Sequence, residues 1–337
     1  MKPNLLITGA SGFIGSHLIE ESLLKGYKVF AAVRKSSKLI LPDNTDVTVV
    51  QLDYYDQAKL VEQLANLKLQ YGRFEYLIHN AGITRANKPD EFNEVNNLLP
   101  QRLVTALVAS KNIPDKLLLV SSMAAFGPGD KKSMIPISVN MPMNPISNYG
   151  KSKKAISNFF LTQSPIPFIL VYPTAVYGPR DKDFIEFVKL IKNGFEPYLG
   201  LYHQALSMVH VSDLSFAIVG LLEKGSNNEQ YIVSDGKNYN KKELGSIIKR
   251  ILNKNTIKLF IPVTPVLWIA GLIEVVYKIV APNKTPLLTK EKINEISAAN
   301  WSCDAKMVWE VLGTKPRHDL ESGMLHTIEW YDNNGML

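Results

Sequence analysis

Residues 4–25, NLLITGASGFIGSHLIEESLLK, decide the fold. Leu5, Leu6 and Ile7 form a short apolar run beside Thr8 and Gly9, the pattern of a central parallel strand. Gly9, Gly12 and Gly15 then recur at every third position. Phe13, Ile14, Leu18, Ile19, Leu23 and Leu24 carry a helical period, and Gly26 stops it. A glycine turn that enters a helix points backbone N–H groups at one spot, where the helix dipole favours an anion. Glycine permits a tight turn, close approach of a phosphate, and close packing of helix on strand. The two phosphates of a dinucleotide fit this geometry, with Gly9, Ser11, Gly12, Phe13, Ile14 and Gly15 as the candidate contacts. A ligand-free tight turn is the competing reading. The placement between strand and helix favours binding.

A chain of 337 residues holds one large domain or two smaller ones. Hydrophobic residues make up 46% and charged residues 20%, which supports a sizeable core and excludes a disordered chain. The single Cys303 excludes an internal disulfide and suits a reducing compartment, so a cytoplasmic protein is expected. The opening MKPNLLITGA is not expected to be a signal peptide, because its apolar run is short and lies inside the glycine motif. The net charge of +7 is compatible with nucleic acid, an anionic membrane surface or phosphorylated ligands. The basic residues read as spread out, with one tight cluster after the second strand. A generally basic solvated surface is therefore expected, and no nucleic-acid partner. The six histidines (17, 79, 203, 210, 318, 326) lack metal-ligand spacing, so no metal site is expected.

Residues 27–33 read as the second strand, ending in Arg34-Lys35-Ser36-Ser37-Lys38. A free ribose 2′-OH usually meets an acid near this point, whereas a 2′-phosphate needs cations. No acid occurs between Glu21 and Asp43. Arg34 can hold a phosphate bidentately and Lys38 adds charge, so NADP(H) is expected over NAD(H). A solvated charge run after a strand is the alternative. Residues 47–52 are a third strand ending at Asp53, which could instead cap a helix over 57–69. Residues 75–79 are a fourth strand, leading to Asn80, Ala81 and Gly82, small enough to let a cofactor approach the backbone. Residues 91–110 predict one long helix, kinked at Pro100. Residues 116–120 are a fifth strand, and Ser122 follows at its carboxyl end, where ligands bind in open α/β sheets.

Chemistry is densest at Asn148-Tyr149-Gly150-Lys151-Ser152-Lys153. Tyr149 and Lys153 stand four apart, on one helix face. A neighbouring ammonium lowers a phenol's pKa, so Tyr149 is expected to be tuned towards neutral pH and to exchange a proton with a carbonyl or alcohol oxygen. Ser122 can hold that oxygen. Isolated Tyr and Lys at this spacing usually mark a helix surface.

TGASGFIG (8–15), SSMAAFG (121–127), YGKSK (149–153), VYPTAVYGPRD (171–181) and MVHVSDL (208–214) together resemble the extended short-chain dehydrogenase/reductase pattern, that of the NAD-dependent epimerase/dehydratase family. The resemblance implies an α/β fold: a Rossmann-type, doubly wound parallel sheet over residues 1–172, with a smaller, interleaved substrate lobe over 173–337. It implies that Ser122, Tyr149 and Lys153 are catalytic, with Tyr149 also at the cofactor and Lys153 on its ribose. By the same likeness Asp53 and Tyr54 contact adenine, Tyr172 and Pro173 lie against nicotinamide, Asn96 is the active-site helix asparagine, and helices 91–110 and 148–163 form a homodimer. Dehydratases of the family carry an Asp-Glu pair after the active-site Ser/Thr; Met123 and Ala124 stand here. Epimerases typically carry Asn at Ala175 and Arg at Tyr172. The motifs look most like the hydroxysteroid and sterol dehydrogenase branch and bacterial 3-ketosphinganine-type keto-lipid reductases. The expected activity is reversible ketone reduction on a hydrophobic substrate. A nucleotide-sugar epimerase with tightly bound NAD is the alternative, and a non-enzymatic cofactor sensor a third reading.

The last third predicts helices over 213–223, 241–252, two short ones within 287–309, and 320–331, with a strand over 230–233. Residues 265–280 are nearly all apolar and too short to span a bilayer, which takes about 20 apolar residues. Three readings stand for this segment: a buried helix, which is the default, a lid over an apolar substrate, or an interfacial helix making a peripheral membrane contact. Glu274 and Lys278 would pair across one turn.

Overall fold

The computed structural model describes residues 2–34, 46–200, 203–281, 286 and 289–337. Strand β1 (Asn4–Thr8) is buried along its whole length, as a strand covered on both faces must be. Helix α1 (Phe13–Leu24) follows the glycine turn, and Gly26 ends it with φ +82°. Then come β2 (Lys28–Ala32), β3 (Val47–Val50), α2 (Gln57–Tyr71), β4 (Tyr76–His79), α3 (Pro89–Asn93), α4 (Leu99–Ala109), β5 (Lys116–Val120), α5 (Asn148–Gln163) and β6 (Phe168–Pro173). The remainder runs β7 (Ala175–Tyr177), α6 (Ile185–Lys192), β8 (Phe195–Leu199), β9 (Ala205–Leu206), β10 (Met208–His210), α7 (Val211–Lys224), β11 (Glu229–Val233), β12 (Tyr239–Asn240) and α8 (Lys241–Ile251). It closes with β13 (Ile257–Ile261), α9 (Val263–Val280), α10 (Lys290–Ser297), β14 (Asn300–Trp301), α11 (Lys306–Leu312) and α12 (Leu320–Asn333).

Seven strands form one parallel sheet in the order β3-β2-β1-β4-β5-β6-β11. The chain winds outward from β1 in both directions, and ligands in such sheets bind at that reversal. Helices α1, α7 and α11 pack as one layer, and α2, α4 and α5 as another. This is the Rossmann-like α/β fold that the glycine motif predicts. A second, smaller core gathers Tyr177, Val188, Met208, Ile248, Leu320 and Met324. The path is interleaved: β11 and α7, late in the sequence, belong to the large core.

Three local expectations change. The helix predicted over 91–110 is broken into α3 and α4 by a π turn over Glu94–Leu98. Pro100 cannot donate a helical hydrogen bond, so the irregularity sits just before it. The cap of α2 is Asp56, whose side chain accepts from Lys59 N at 3.0 Å, and not Asp53.

The third change concerns α9, which is not a buried helix. Trp268, Leu272, Ile279 and Val280 are 73, 68, 75 and 77% exposed, and Ala270 is its one fully buried apolar residue. Among the described residues α9 packs chiefly on α10, which covers one side only. Lys38 and the side chain of Lys278 lie outside the described residues, so neither the second cation after β2 nor the Glu274–Lys278 pair has a described geometry. Glu274 accepts from the Lys290 backbone N–H at 2.7 Å.

Candidate active site

The glycine turn lies at the carboxyl end of β1. Gly9 has φ +65°, and a Cβ there would stand 2.7 Å from the Ala81 backbone. A Cβ at Gly15 would collide with the Gly9 carbonyl oxygen. Gly12 is different: it is exposed, and the Gly9 oxygen, 3.2 Å away, is all that a Cβ would meet there. Two of the glycines therefore allow backbones to touch, while the third leaves the helix entrance open to a ligand. No side chain caps α1 and no acid lies in its first turn, so its positive end stays available to an anion. Phe13 and Ile14 begin that turn half-buried. These residues fit a bound dinucleotide.

The edges of the cleft follow. Arg34 is exposed just past β2. Asp53 accepts from Lys59 Nζ at 3.0 Å and from Tyr55 N, which holds its carboxyl below the usual range. Tyr54 packs on the large core. Beyond β4, Asn80 Nδ2 donates to Gly9 O at 3.4 Å, and Ala81 N donates to Thr8 Oγ1 at 3.2 Å. His79 is buried with Nδ1 on Thr8 Oγ1 at 2.9 Å, and burial lowers its pKa to about 3. Gly82 lies against Lys153: a Cβ would be 3.4 Å from Nζ.

Ser122 follows β5 and caps a short turn, accepting from Ala124 N at 3.1 Å. Helix α5 comes down onto that turn so closely that a Cβ at Gly150 would collide with the Ala124 carbonyl oxygen. This approach sets Tyr149 beside Ser122, whose side chain lowers the phenol's pKa. Lys153 is buried, donates to Val120 O at 3.0 Å, and has its Nζ 6.0 Å from the Tyr149 ring centre. Phe92 packs edge-on against Tyr149 at 6.2 Å. Ser122, Tyr149 and Lys153 thus meet at the carboxyl ends of the central strands, beside Gly82.

The electrostatics differ from expectation. Burial pushes the Tyr149 phenol up to about 12, against the smaller lowering effect of the Ser122 side chain. Burial also lowers Lys153 to about 8. In the free protein desolvation outweighs attraction between the pair, so Tyr149 keeps its proton at neutral pH. Tyr172 is likewise redirected. Its ring is fully buried against Phe126, 4.9 Å between centres, and its hydroxyl donates to Gln230 Oε1 at 2.9 Å. Its side chain is therefore a core element, not a cofactor contact; Pro173, the last residue of β6, lies at the strand end. Asn96 is buried in the π turn, where it donates to Ile83 O and Ser152 Oγ and accepts from Ile83 N, tying the loop after β4 to α5.

Two features had no sequence signal. Glu291 and Glu295 of α10 grip the start of α5: Asn148 donates to Glu291 through N and Nδ2, and Ser147 Oγ donates to Glu295 Oε1. The Glu295 charge also raises the Tyr149 pKa. The contacts join positions nearly 150 apart in sequence, beyond any local pattern. The second feature is a histidine group. His318 and His326, eight residues apart, meet His210, more than a hundred residues earlier, with ring nitrogens within 4.8 Å of one another. Such a trio could in principle offer three nitrogens to a metal. His210 Nδ1 is taken by Ser212, and His318 Nδ1 by Asp213 at 3.2 Å. None of these bonds reaches Ser122, Tyr149 or Lys153.

A nucleotide-binding turn, a parallel sheet and a Ser-Tyr-Lys group at its carboxyl edge define a dinucleotide-dependent oxidoreductase. Residues 5–234 match the model of the NAD dependent epimerase/dehydratase family, and the chain belongs to that family. It is 25% identical over 301 residues to the sterol-4-alpha-carboxylate 3-dehydrogenase (decarboxylating) of Dictyostelium discoideum, covering 85% of this chain and 88% of that one. It is 25% identical over 341 residues to the ceramide reductase of Caulobacter vibrioides, covering 98% and 95%. Its fold is similar to that of the UDP-glucose 4-epimerase of Thermotoga maritima solved with UDP-glucose, with TM-score 0.76, 22% identity and coverage of 98% and 99%. The chain is an NAD-dependent enzyme of the dehydrogenase/reductase type.

Proposed function

We propose that the enzyme reduces a ketone to a secondary alcohol, reversibly, on a hydrophobic sterol-like or long-chain keto-lipid substrate, with NADP(H) preferred over NAD(H). The meeting of Ser122 with a protonated Tyr149 and a buried Lys153 carries this reading. A bound nicotinamide cofactor supplies hydride. The protein's own part is to place the carbonyl and move a proton. Ser122 Oγ donates a hydrogen bond to the carbonyl oxygen and fixes its distance. Tyr149, which keeps its proton at neutral pH, gives that proton to the oxygen as negative charge develops there. Lys153, fixed on Val120 O, sets a positive charge close to the phenol and so makes proton loss easier. Neither Met123 nor Ala124 can add an acid or base, which argues against dehydration.

Relatives named for sterol and ceramide chemistry favour a lipid substrate. The absence of any acid from 22 to 42, with Arg34 exposed past β2, favours the 2′-phosphate. The test is a fluorescence titration with NADPH and NADH, then kcat/KM over ketones of rising chain length. Tighter NADPH binding that weakens in Arg34→Ala, with kcat/KM rising with chain length, is the expected result. Indifference to chain length would sink the lipid reading. The likeness to a UDP-glucose epimerase supports a second reading, nucleotide-sugar epimerisation. NAD retained through purification, with no net reduction of any ketone, would put that reading first.

A further inference from the structure

The most apolar helix of the protein is also among its most exposed. On α9, positions 268, 269, 272, 275, 276, 279 and 280 are exposed and apolar, and their spacing lays them along one face. The strand leading into that helix, β13, is exposed too, at Ile257, Leu259, Phe260 and Ile261. Single exposed hydrophobic side chains are ordinary, but a contiguous patch of this size marks a docking surface.

Charge identifies the occupant. From the start of α8 to the residue before α10, residues 241–289, the sequence holds eight basic and two acidic residues, a net +6. The whole chain is +7, so this stretch carries most of the net charge of the sequence; Lys249 and Arg250 pair with Glu196 and Glu321, while Lys254 and Lys258 stand exposed before and within β13. Glu274, one of the two acids, is engaged by Lys290 N. A second copy of the chain would bring two such positive faces together, which disfavours self-association. Among the described residues no helix is long and apolar enough to cross a membrane.

We propose that α9 and its basic surroundings dock the enzyme on an anionic lipid bilayer, with the helix lying in the interface and Trp268, Leu272 and Ile279 dipping into the acyl region. The face is tied directly to the catalytic helix. The Lys290 side chain packs where a Cβ on Gly271 would stand, and Glu291 and Glu295 of the same short helix hold the start of α5. Docking would therefore place the bilayer next to the element that carries Tyr149. This deepens the keto-lipid reading: it gives a water-insoluble substrate a route from membrane to site.

The test is flotation of the purified full chain with phosphatidylcholine vesicles, with and without phosphatidylglycerol. Binding to the anionic vesicles is expected, falling as salt is raised. Trp268→Glu/Leu272→Glu should reduce it at least tenfold. Lys254→Glu/Lys258→Glu should reduce it roughly fivefold per cation. Both variants should keep the wild-type melting temperature, because these side chains are exposed. Failure of the wild type to float with anionic vesicles at low salt would overturn the proposal. So would undiminished binding of Trp268→Glu/Leu272→Glu, or a wild-type dimer that the same variant splits. The flotation uses no substrate. Vesicle binding without ketone turnover therefore rejects the keto-lipid reading and leaves the docking face standing, and the reverse result rejects the face alone.

Discussion

Helices α5 and α9 invert the usual rule of inside and outside. The sequence of α5 is polar, NYGKSKKAISNFFLTQ, yet Ser152, Lys153 and Ser157 are buried. That of α9 is almost wholly apolar, yet most of it faces out. In α5 each buried polar group has a partner: Lys153 on Val120 O, Ser152 with Tyr149 O and Asn96, Ser157 with Ser121. Burial of such groups is costly unless they are paired, so it is found where chemistry needs them. Exposure of a greasy helix is costly unless something covers it, so it is found where a partner is expected. Departures from the rule in both directions mark function, and α10 links the two.

The largest expected effect lies on the polar helix. Tyr149→Phe should lower kcat for ketone reduction by roughly 10²–10⁴, the range of a lost general acid. Its NADPH affinity, by titration, should stay within about threefold of wild type, because loss of one hydroxyl leaves the glycine turn, Arg34 and Lys153 in place. Unchanged turnover would reduce the comparison to one of packing and revive a cofactor sensor.

Core packing comes next. Leu214→Ala in the buried helix α7 should cost about 2–5 kcal/mol in denaturant unfolding. Leu272→Ala in α9 should stay within about 0.5 kcal/mol. Equal costs would mean that α9 is covered in the free protein. Gly150→Ala should fall between them, at about 1–3 kcal/mol, since the added methyl meets the Ala124 carbonyl, and kcat should fall with it.

The smallest effects are in pH. Burial lowers the Lys153 pKa to about 8, so kcat/KM for reduction should decline as pH rises through 8 and its positive charge is lost. The same shift gives a sign for stability. The folded protein holds this proton less tightly than the unfolded chain, so stability attributable to Lys153 is lowest below pH 8 and rises as the lysine discharges. Lys153→Met should therefore gain more in melting temperature, relative to wild type, at pH 7 than at pH 10. An equal difference at both values would show that the amine is well solvated.

Much of the cofactor side was legible in the sequence. The glycine turn, the strands that surround it and the Tyr149–Lys153 spacing depend on residues close together in the chain, where sterics and helical period act directly. The Rossmann-like sheet follows from them. Other features were decided elsewhere. The Tyr149 phenol is driven up by burial that no spacing reveals. Tyr172 looks like a cofactor contact by position, but a hydrogen bond to Gln230 on the neighbouring strand β11 draws its ring into the core. The π turn before Pro100 replaces a simple kink, because Asn96 is held by both Ile83 and Ser152.

The sequence by itself therefore determined the parallel sheet, the phosphate-ready turn and the placing of Tyr149 and Lys153 on one helix face, since each arises from local geometry. The tertiary structure alone decided what covers each surface. It placed Glu291 and Glu295 on the start of α5, drew His210 to the pair His318 and His326 and left α9 bare. The physical reason is that apolar composition fixes how much surface must leave water, whereas packing between elements distant in sequence fixes which surface the chain can cover by itself.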